Sequence, residues 1–327
     1  MAFVRIMGMG YYLPKKVVTN DDLSKCVDTS DEWIRTRTGI VQRHIAANNE
    51  ACSDLALQAA KQALTNANIA PEAIDLLIVA TVTSDMQFPS TAAILQAKLG
   101  LRTIMAFDIN AACSGFVYAL DVARHFLTNG VYRYALVIGS DKLSAIVNWK
   151  DRNTCVLFGD GAGACVLGQS DTNAHCVVDG FLGADGSNPD WLCIPAGGSL
   201  QPATATTVAN HLHFVSMNGR EVFKVAVRRM MEAVRGVLER QKLTIADIQW
   251  IVPHQANLRI IQALADELGF PMDRMICNID QTGNTSAASI PVALAQVVAA
   301  GRFRPGERIL LVAFGGGLTW GASLIQY

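Results

Sequence analysis

The sequence predicts an α/β protein built from two similar halves in tandem, and three observations carry that expectation. The order of strand-like and helix-like segments recurs, the spacings between them recur, and each half has a small-residue turn where a strand meets a helix. In the first half the short apolar run Ile74–Thr81 reads as a buried strand, and a helix begins near Pro89. Met105–Asn110 reads as a second strand, and Ala111–Gly115 is the small-residue turn. Apolar positions 116, 119, 120, 123 and 127 then keep one face of a helix from Phe116 to Leu127, and Tyr134–Ser140 is a third strand.

The second half repeats this order with a strand at Ile248–Val252, a helix around Leu258–Leu268 and a strand at Met275–Asp280. A turn at Gln281–Thr285, a helix from Ala288 to Ala300 and a strand at Arg308–Phe314 complete it. Val79 lies 34 positions before Cys113 and 58 before Val137; Val252 lies 32 before Asn284 and 59 before Leu311. On this count Asn284 is the counterpart of Cys113. Two such halves imply parallel strands feeding helices, with residues of both converging at the strand ends.

Outside the repeat, Gly180–Gln201 and the small polar stretch Pro202–Ala209 read as loop. The insert Thr19–Ala47 has Asn20-Asp-Asp as a helix cap and gathers Trp33, Arg35, Arg37 and Arg43, a composition suited to a substrate entrance. Of the 327 residues 51% are hydrophobic and 17% charged, which excludes disorder and suggests surface covered by a partner chain. A net charge of -1 without a basic tail argues against nucleic acid. The start MAFVRIMGMGYYLP lacks signal-peptide regions, and apolar runs such as Ile74–Val82 fall far short of the ~20 residues that span a bilayer, so a cytoplasmic protein is expected. Eight cysteines without a CxxC pair fit a reducing compartment better than disulfides or zinc.

Cys113 sits at the turn entering a helix, where free N–H groups and the helix dipole stabilise a thiolate and lower its pKa from about 8.5. Cys26, Cys52, Cys155 and Cys176 have no such turn. His254 follows the strand-like Trp250–Pro253, at a carboxyl end where open α/β sheets place their sites. Asn284 lies in Thr282-Gly-Asn-Thr-Ser-Ala-Ala. Each alone could be structural; together they make a nucleophile with two polar partners.

The motifs Ala111-Ala-Cys-Ser-Gly115, Pro253-His-Gln-Ala-Asn257, Gly283-Asn-Thr-Ser-Ala-Ala288 and Phe314-Gly-Gly-Gly317 resemble those of the β-ketoacyl-acyl carrier protein synthase III family, along the whole chain. The resemblance implies a thiolase-like fold with a layered α-β-α-β-α core. Residues 1–173 would form the half carrying the cysteine, and residues 174–327 the half carrying the histidine and asparagine. It implies a homodimer that condenses a short acyl-CoA, such as acetyl-CoA, with malonyl-acyl carrier protein to initiate fatty acid synthesis. The CoA thioester would be substrate, and no cofactor or metal is implied. Cys113 would be the nucleophile, and its N–H and that of Gly316 the oxyanion hole. His254 and Asn284 would hydrogen-bond the malonyl thioester oxygen as donors. Trp33, Arg37 and Arg152 would clamp the adenine, Asn257 would touch the pantetheine, and Phe88 would enter the neighbouring subunit's acyl pocket. Lys224 and Arg259 would meet the acidic carrier protein. Asn153 stands where the family favours Gly.

Gly159-Asp-Gly-Ala-Gly163 is not expected to hold a nucleotide, since the apolar run Ala164-Cys-Val-Leu rather than a long helix follows it. His211 and His213, expected on one face of a strand, lack a third ligand nearby. A thiolase would need a second cysteine near the carboxyl terminus, and elongating synthases use two histidines. The remaining rivals are a Cys-His-Asn condensing enzyme of secondary metabolism using an unusual acyl-CoA, and a Cys-dependent acyl hydrolase.

Overall fold

Strands of the repeat are apolar without alternation because both of their faces are covered. The computed structural model describes residues 3–327. Its main sheet has nine strands: β1 (Phe3–Tyr12), β2 (Leu76–Ala80), β3 (Met105–Ile109), β4 (Tyr134–Asp141), β5 (Gly161–Ser170), β6 (Cys176–Ala184), β7 (Trp250–Pro253), β8 (Arg308–Gly315) and β9 (Thr319–Gln326). Their spatial order is β7-β8-β9-β6-β1-β5-β4-β2-β3. Only the pair Arg5 and Cys176 joins β1 to β6, so the sheet is two half-sheets meeting at a seam. Within the halves β2 runs parallel to β3 and β4, and β7 parallel to β8, as the repeat implied.

Seven helices matter for the layers: α1 (Asp31–Thr38), α2 (Cys52–Ala67), α3 (Thr91–Lys98), α4 (Gly115–Thr128), α5 (Gly219–Gln241), α6 (Leu258–Leu268) and α7 (Ser289–Ala299). On β2, Leu76 and Ile78 turn into a central core with Phe116 and Leu120 of α4 and Ile290 of α7, while Leu77 and Val79 turn outward onto α2 and α3. On β8, Ile309 and Leu311 join the same central core, while Leu310 and Val312 face α5 and α6. The period-two alternation of a strand thus feeds two different cores. The result is five layers, helix, sheet, helix, sheet, helix, with α4 and α7 in the middle.

The central helices lie so close to the opposite half that side chains are excluded. A Cβ on Gly139 of β4 would stand 2.2 Å from Ala287 O, and one on Gly163 of β5 would stand 2.6 Å from Val292 N. Gly139→Ala is therefore expected to destabilise the protein by about 1–3 kcal/mol, the usual range for overpacking a core. A urea midpoint unchanged from wild type would contradict this packing.

Several expectations need correction. Met275–Asp280 forms no strand; a single parallel bridge from Ile251 to Met275 remains, and Ile279–Thr282 is a helical turn. Gly180–Ala184 belongs to β6 rather than to a loop, and Ala205–Ala209 is a short helix. In the insert Thr19, not Asn20, caps the helix Asn20–Ser24. His211 and His213 lie on a turn, not a strand, with ring centroids 6.4 Å apart. No group of metal ligands occurs among the described residues. Among them, too, no helix is long and apolar enough to cross a membrane.

The repeat register also shifts. The turns Ala112–Ser114 and Ser286–Ala288 precede α4 and α7, and Ala112 and Ser286 share a left-handed backbone, φ 47° and 51°. Asn110 Oδ1 accepts from Ala112 N at 3.4 Å as Asn284 Oδ1 accepts from Ser286 N at 2.8 Å. The counterpart of Cys113 is therefore Ala287, and Asn284 matches Asn110. The strand-to-turn count erred because the second half lacks the strand that β3 supplies in the first.

Candidate active site

A cavity of about 1060 Å³ opens where the strand ends of the two halves meet, and Cys113, His254 and Asn284 all line it. Cys113 stands in the turn entering α4, and that turn is braced from the far half. Thr319 Oγ1 donates to Ala111 O at 2.7 Å, and Ser114 Oγ donates to Thr319 O at 3.1 Å. Burial pushes the Cys113 thiol up to about 12, against a downward pull from hydrogen bonding by Ser286, while the charge of Asp141 adds to the rise. The residue itself is only partly buried and lines the cavity.

His254 follows β7 and is 4% exposed. Burial drives its pKa down to about 3, so the imidazole is neutral at ordinary pH. Its Nδ1 lies 2.6 Å from Ser289 Oγ, which already accepts from Gln255 N at 3.4 Å. Among the described residues Nδ1 is the one acceptor within reach of the buried Ser289 hydroxyl proton, so Ser289 donates to Nδ1 and the imidazole carries its hydrogen on Nε2. Asn284 is likewise oriented: Oδ1 is taken by Ser286 N, which leaves the amide N–H groups for the cavity. Its backbone is fixed by Leu157 O at 2.9 Å and Gly159 N at 3.0 Å. Two neutral N–H donors therefore face one thiol.

Gly316 does not line this cavity, but its neighbour Gly315 packs on the Cys113 turn, where an added Cβ would sit 2.7 Å from Cys113 N. Toward the mouth, Trp33 of α1 has the guanidinium carbons of Arg37 and Arg152 at 4.6 and 4.7 Å from its ring centroid. Both arginines thus stack on the indole itself, and Arg152 is further held by Asp28 O at 2.8 Å. Asn257 caps α6 by accepting from Arg259 N at 2.9 Å and ties α6 to α1 by donating to Arg37 O at 3.0 Å. Asn153 also lines the cavity. Lys224 and Arg259 stand at its rim, Lys224 paired with Glu221 at 2.9 Å. Phe88 is 84% exposed and does not reach the cavity of its own chain.

Sequence reasoning missed Arg220 at the rim, the apolar wall that Val222, Ala226 and Met230 of α5 supply, and the supports Ser286, Ser289 and Asp141. The amphipathic spacing of α5 was a legible signal for the wall; the serines had none. Asp160 of the glycine-rich stretch is fully buried and accepts from Ala46 N and from Ser144 N and Oγ, which makes it a structural anchor.

Two family models match the chain: 3-oxoacyl-[acyl-carrier-protein] synthase III over residues 107–186, and its carboxyl-terminal part over residues 238–327. A β-ketoacyl-[acyl-carrier-protein] synthase III of Caldanaerobacter subterraneus is 53% identical, covering 98% of this chain and 97% of its own. One from Symbiobacterium thermophilum is 52% identical, covering 99% and 98%. The crystal structure of 3-oxoacyl-[acyl-carrier-protein] synthase III from Aquifex aeolicus superposes with a TM-score of 0.91 at 49% identity, covering 99% and 100%.

Proposed function

Since the chain belongs to the β-ketoacyl-acyl carrier protein synthase III family, the acyltransferases that initiate fatty acid synthesis, we propose that Cys113 is the residue that takes up its acyl group. The observation that carries this reading is the shared cavity of Cys113, His254 and Asn284. In the first step Cys113 Sγ attacks the thioester carbon of an acyl-CoA, and CoA leaves as its thiol, giving acyl-Cys113. The N–H of Cys113 would stabilise the intermediate oxyanion, with that of Gly316, which follows the Gly315 packed on the Cys113 turn, as the second donor. In the second step the malonyl thioester loses carbon dioxide, and the electron pair of the broken bond becomes an enolate. His254 Nε2–H and the Asn284 amide donate to its oxygen, where a carboxylate would repel it. The enolate carbon then attacks acyl-Cys113 and releases the thiol.

Acyl-CoA and malonyl-acyl carrier protein are the substrates of this reading, and no resident cofactor takes part. The adenine of CoA would lie between the Trp33 indole and a guanidinium once the arginines now stacked on the indole make room for it. Asn257 would meet the pantetheine. Lys224 and Arg259 would attract the acidic carrier protein, where charge acts mostly on encounter. Residues 1–173 and 174–327 would act as the two halves of the fold. A cytoplasmic homodimer would cover the exposed Met86, Phe88 and Leu200 and bring Phe88 to the partner's pocket.

The test is a condensation assay with malonyl-acyl carrier protein and a series of acyl-CoA primers of rising length and branching. Acetyl-CoA is expected to give acetoacetyl-acyl carrier protein with one carbon dioxide per product. A preference for long or unusual primers would point to secondary metabolism, and free acid without a new carbon–carbon bond to a hydrolase.

A further inference from the structure

Arg43, grouped by sequence with the residues of a substrate entrance, lies elsewhere: it is wholly buried and does not line the cavity. It belongs to the short strand Gln42–Ile45 of the insert. Its Nη1 donates to Asn20 Oδ1 at 2.9 Å and to Val18 O at 3.2 Å, and its Nη2 donates to Val156 O at 2.8 Å. Each of these partners is uncharged, and Nε has no partner among the described residues. Burial pushes the guanidinium down only to about 10, so it is a cation at neutral pH. A buried charge without a counter-charge is costly and calls for a reason.

Val156, Leu157 and Phe158 line the cavity, so the bond to Val156 O grips that wall from behind. The same wall fixes Asn284. Leu157 O accepts from Asn284 N at 2.9 Å, Gly159 N donates to Asn284 O at 3.0 Å, and Phe158 bridges Asn284 in parallel register. The Arg43 stem sits against both chains of this bridge: a Cβ on Gly159 would stand 3.1 Å from Arg43 Cβ, and one on Gly283 would stand 3.2 Å from it. Gly283, which precedes Asn284, has φ 64°, a backbone that glycine adopts without steric cost. The chain carrying Arg43 is pinned on both sides, since Val41 N donates to Asp280 O at 2.9 Å and Asp160 N to His44 O at 2.8 Å.

We propose that Arg43 is a positioning residue for carbon dioxide release, its forked guanidinium and stem holding the Val156–Gly159 wall and, through it, the Asn284 amide at the enolate oxygen. This rests on Asn284 being a donor to that oxygen. The fork matters because its two arms reach different bodies, Nη2 the wall and Nη1 the buried Asn20. Asn20 in turn donates to Asp31 Oδ1 and to Ile40 O, each at 2.8 Å, which anchors the arginine to the first turn of α1. A lysine has one nitrogen on a flexible stem and holds only one side. The Cys113 turn is braced from β9 instead, by Thr319, so acylation does not depend on this wall. No bond changes at Arg43; its effect is on where Asn284 points.

The experiment uses Arg43→Lys and Arg43→Gln in the full chain, each alone and combined with Asn284→Ala. It reads Cys113 acetylation at saturating acetyl-CoA, and carbon dioxide release from malonyl-acyl carrier protein by pre-acetylated enzyme. Both single variants are expected to acetylate within about threefold of wild type and to release carbon dioxide roughly 10–100-fold more slowly, the size of loss that a misplacement of about 1 Å brings. In the Asn284→Ala background either change should cost less than about twofold more, because the group that Arg43 positions is already gone. A residue that only stabilises the fold would slow acetylation and release alike, or add its full loss to that of Asn284→Ala, and either result overturns the proposal. A variant too unstable to acetylate gives the first of these results. Release at the wild-type rate in either single variant overturns it as well. An Asn284→Ala protein that releases carbon dioxide at the wild-type rate would instead remove the donor assignment, a separate failure.

Discussion

A Cys113→Ala protein is expected to take up no acetyl group from acetyl-CoA, and its condensation rate should fall by roughly four orders of magnitude or more. The size follows from what the thiol does. Without it the route through a covalent intermediate is closed, and the malonyl-derived carbon would have to attack a CoA thioester that cannot share the cavity with a carrier-bound one. The other seven cysteines cannot substitute. Cys52, Cys155, Cys165 and Cys176 are buried, Cys26 and Cys277 are exposed elsewhere, and Cys193 does not line the cavity. Intact-mass measurement followed by peptide mapping checks this. An acetyl group that persisted in the variant, or that mapped to a peptide without Cys113 in the wild type, would refute the assignment.

The same cysteine shows how far the sequence could be read. The two-half fold was legible because β2, β4 and β8 are apolar on both faces and α4 has a marked apolar stripe, and these are local signals. The antiparallel strands at the centre of the sheet, β1, β5, β6 and β9, were not. β5, Gly161–Ser170, carries glycine where α7 passes too close for a Cβ, so tertiary contact overrode strand propensity. The three reactive residues were found by their turns and motifs, yet pairing Cys113 with Asn284 by spacing was off by three residues. Only the shared left-handed backbone of Ala112 and Ser286 reveals the true register. Ser286 and Ser289 were invisible because a serine in a small-residue turn looks the same whether it supports a catalytic group or merely closes the turn.

His254→Ala and Asn284→Ala should separate the two half-reactions. Each removes one neutral donor to the enolate oxygen, a loss that costs about 10²–10³ in rate when such a donor is built into a site. Acylation of Cys113 uses neither donor in the proposed scheme, so both variants should still become acetylated while carbon dioxide release from malonyl-acyl carrier protein falls by that factor. Combining them should cost less than the product of the single losses, because the two act on one oxygen. Burial that drives His254 to about 3 sets the pH behaviour. A group with so low a pKa is already neutral at pH 5 and stays so at pH 8, so carbon dioxide release by pre-acetylated enzyme should be flat across that range. Had His254 acted as a protonated donor with an ordinary pKa near 6.5, the rate would fall as pH rises through that value. A falling limb there that vanishes in His254→Ala would show that the imidazolium is the working form. The donor would then be a charge rather than a dipole, and Ser289 could no longer be the group that sets its tautomer.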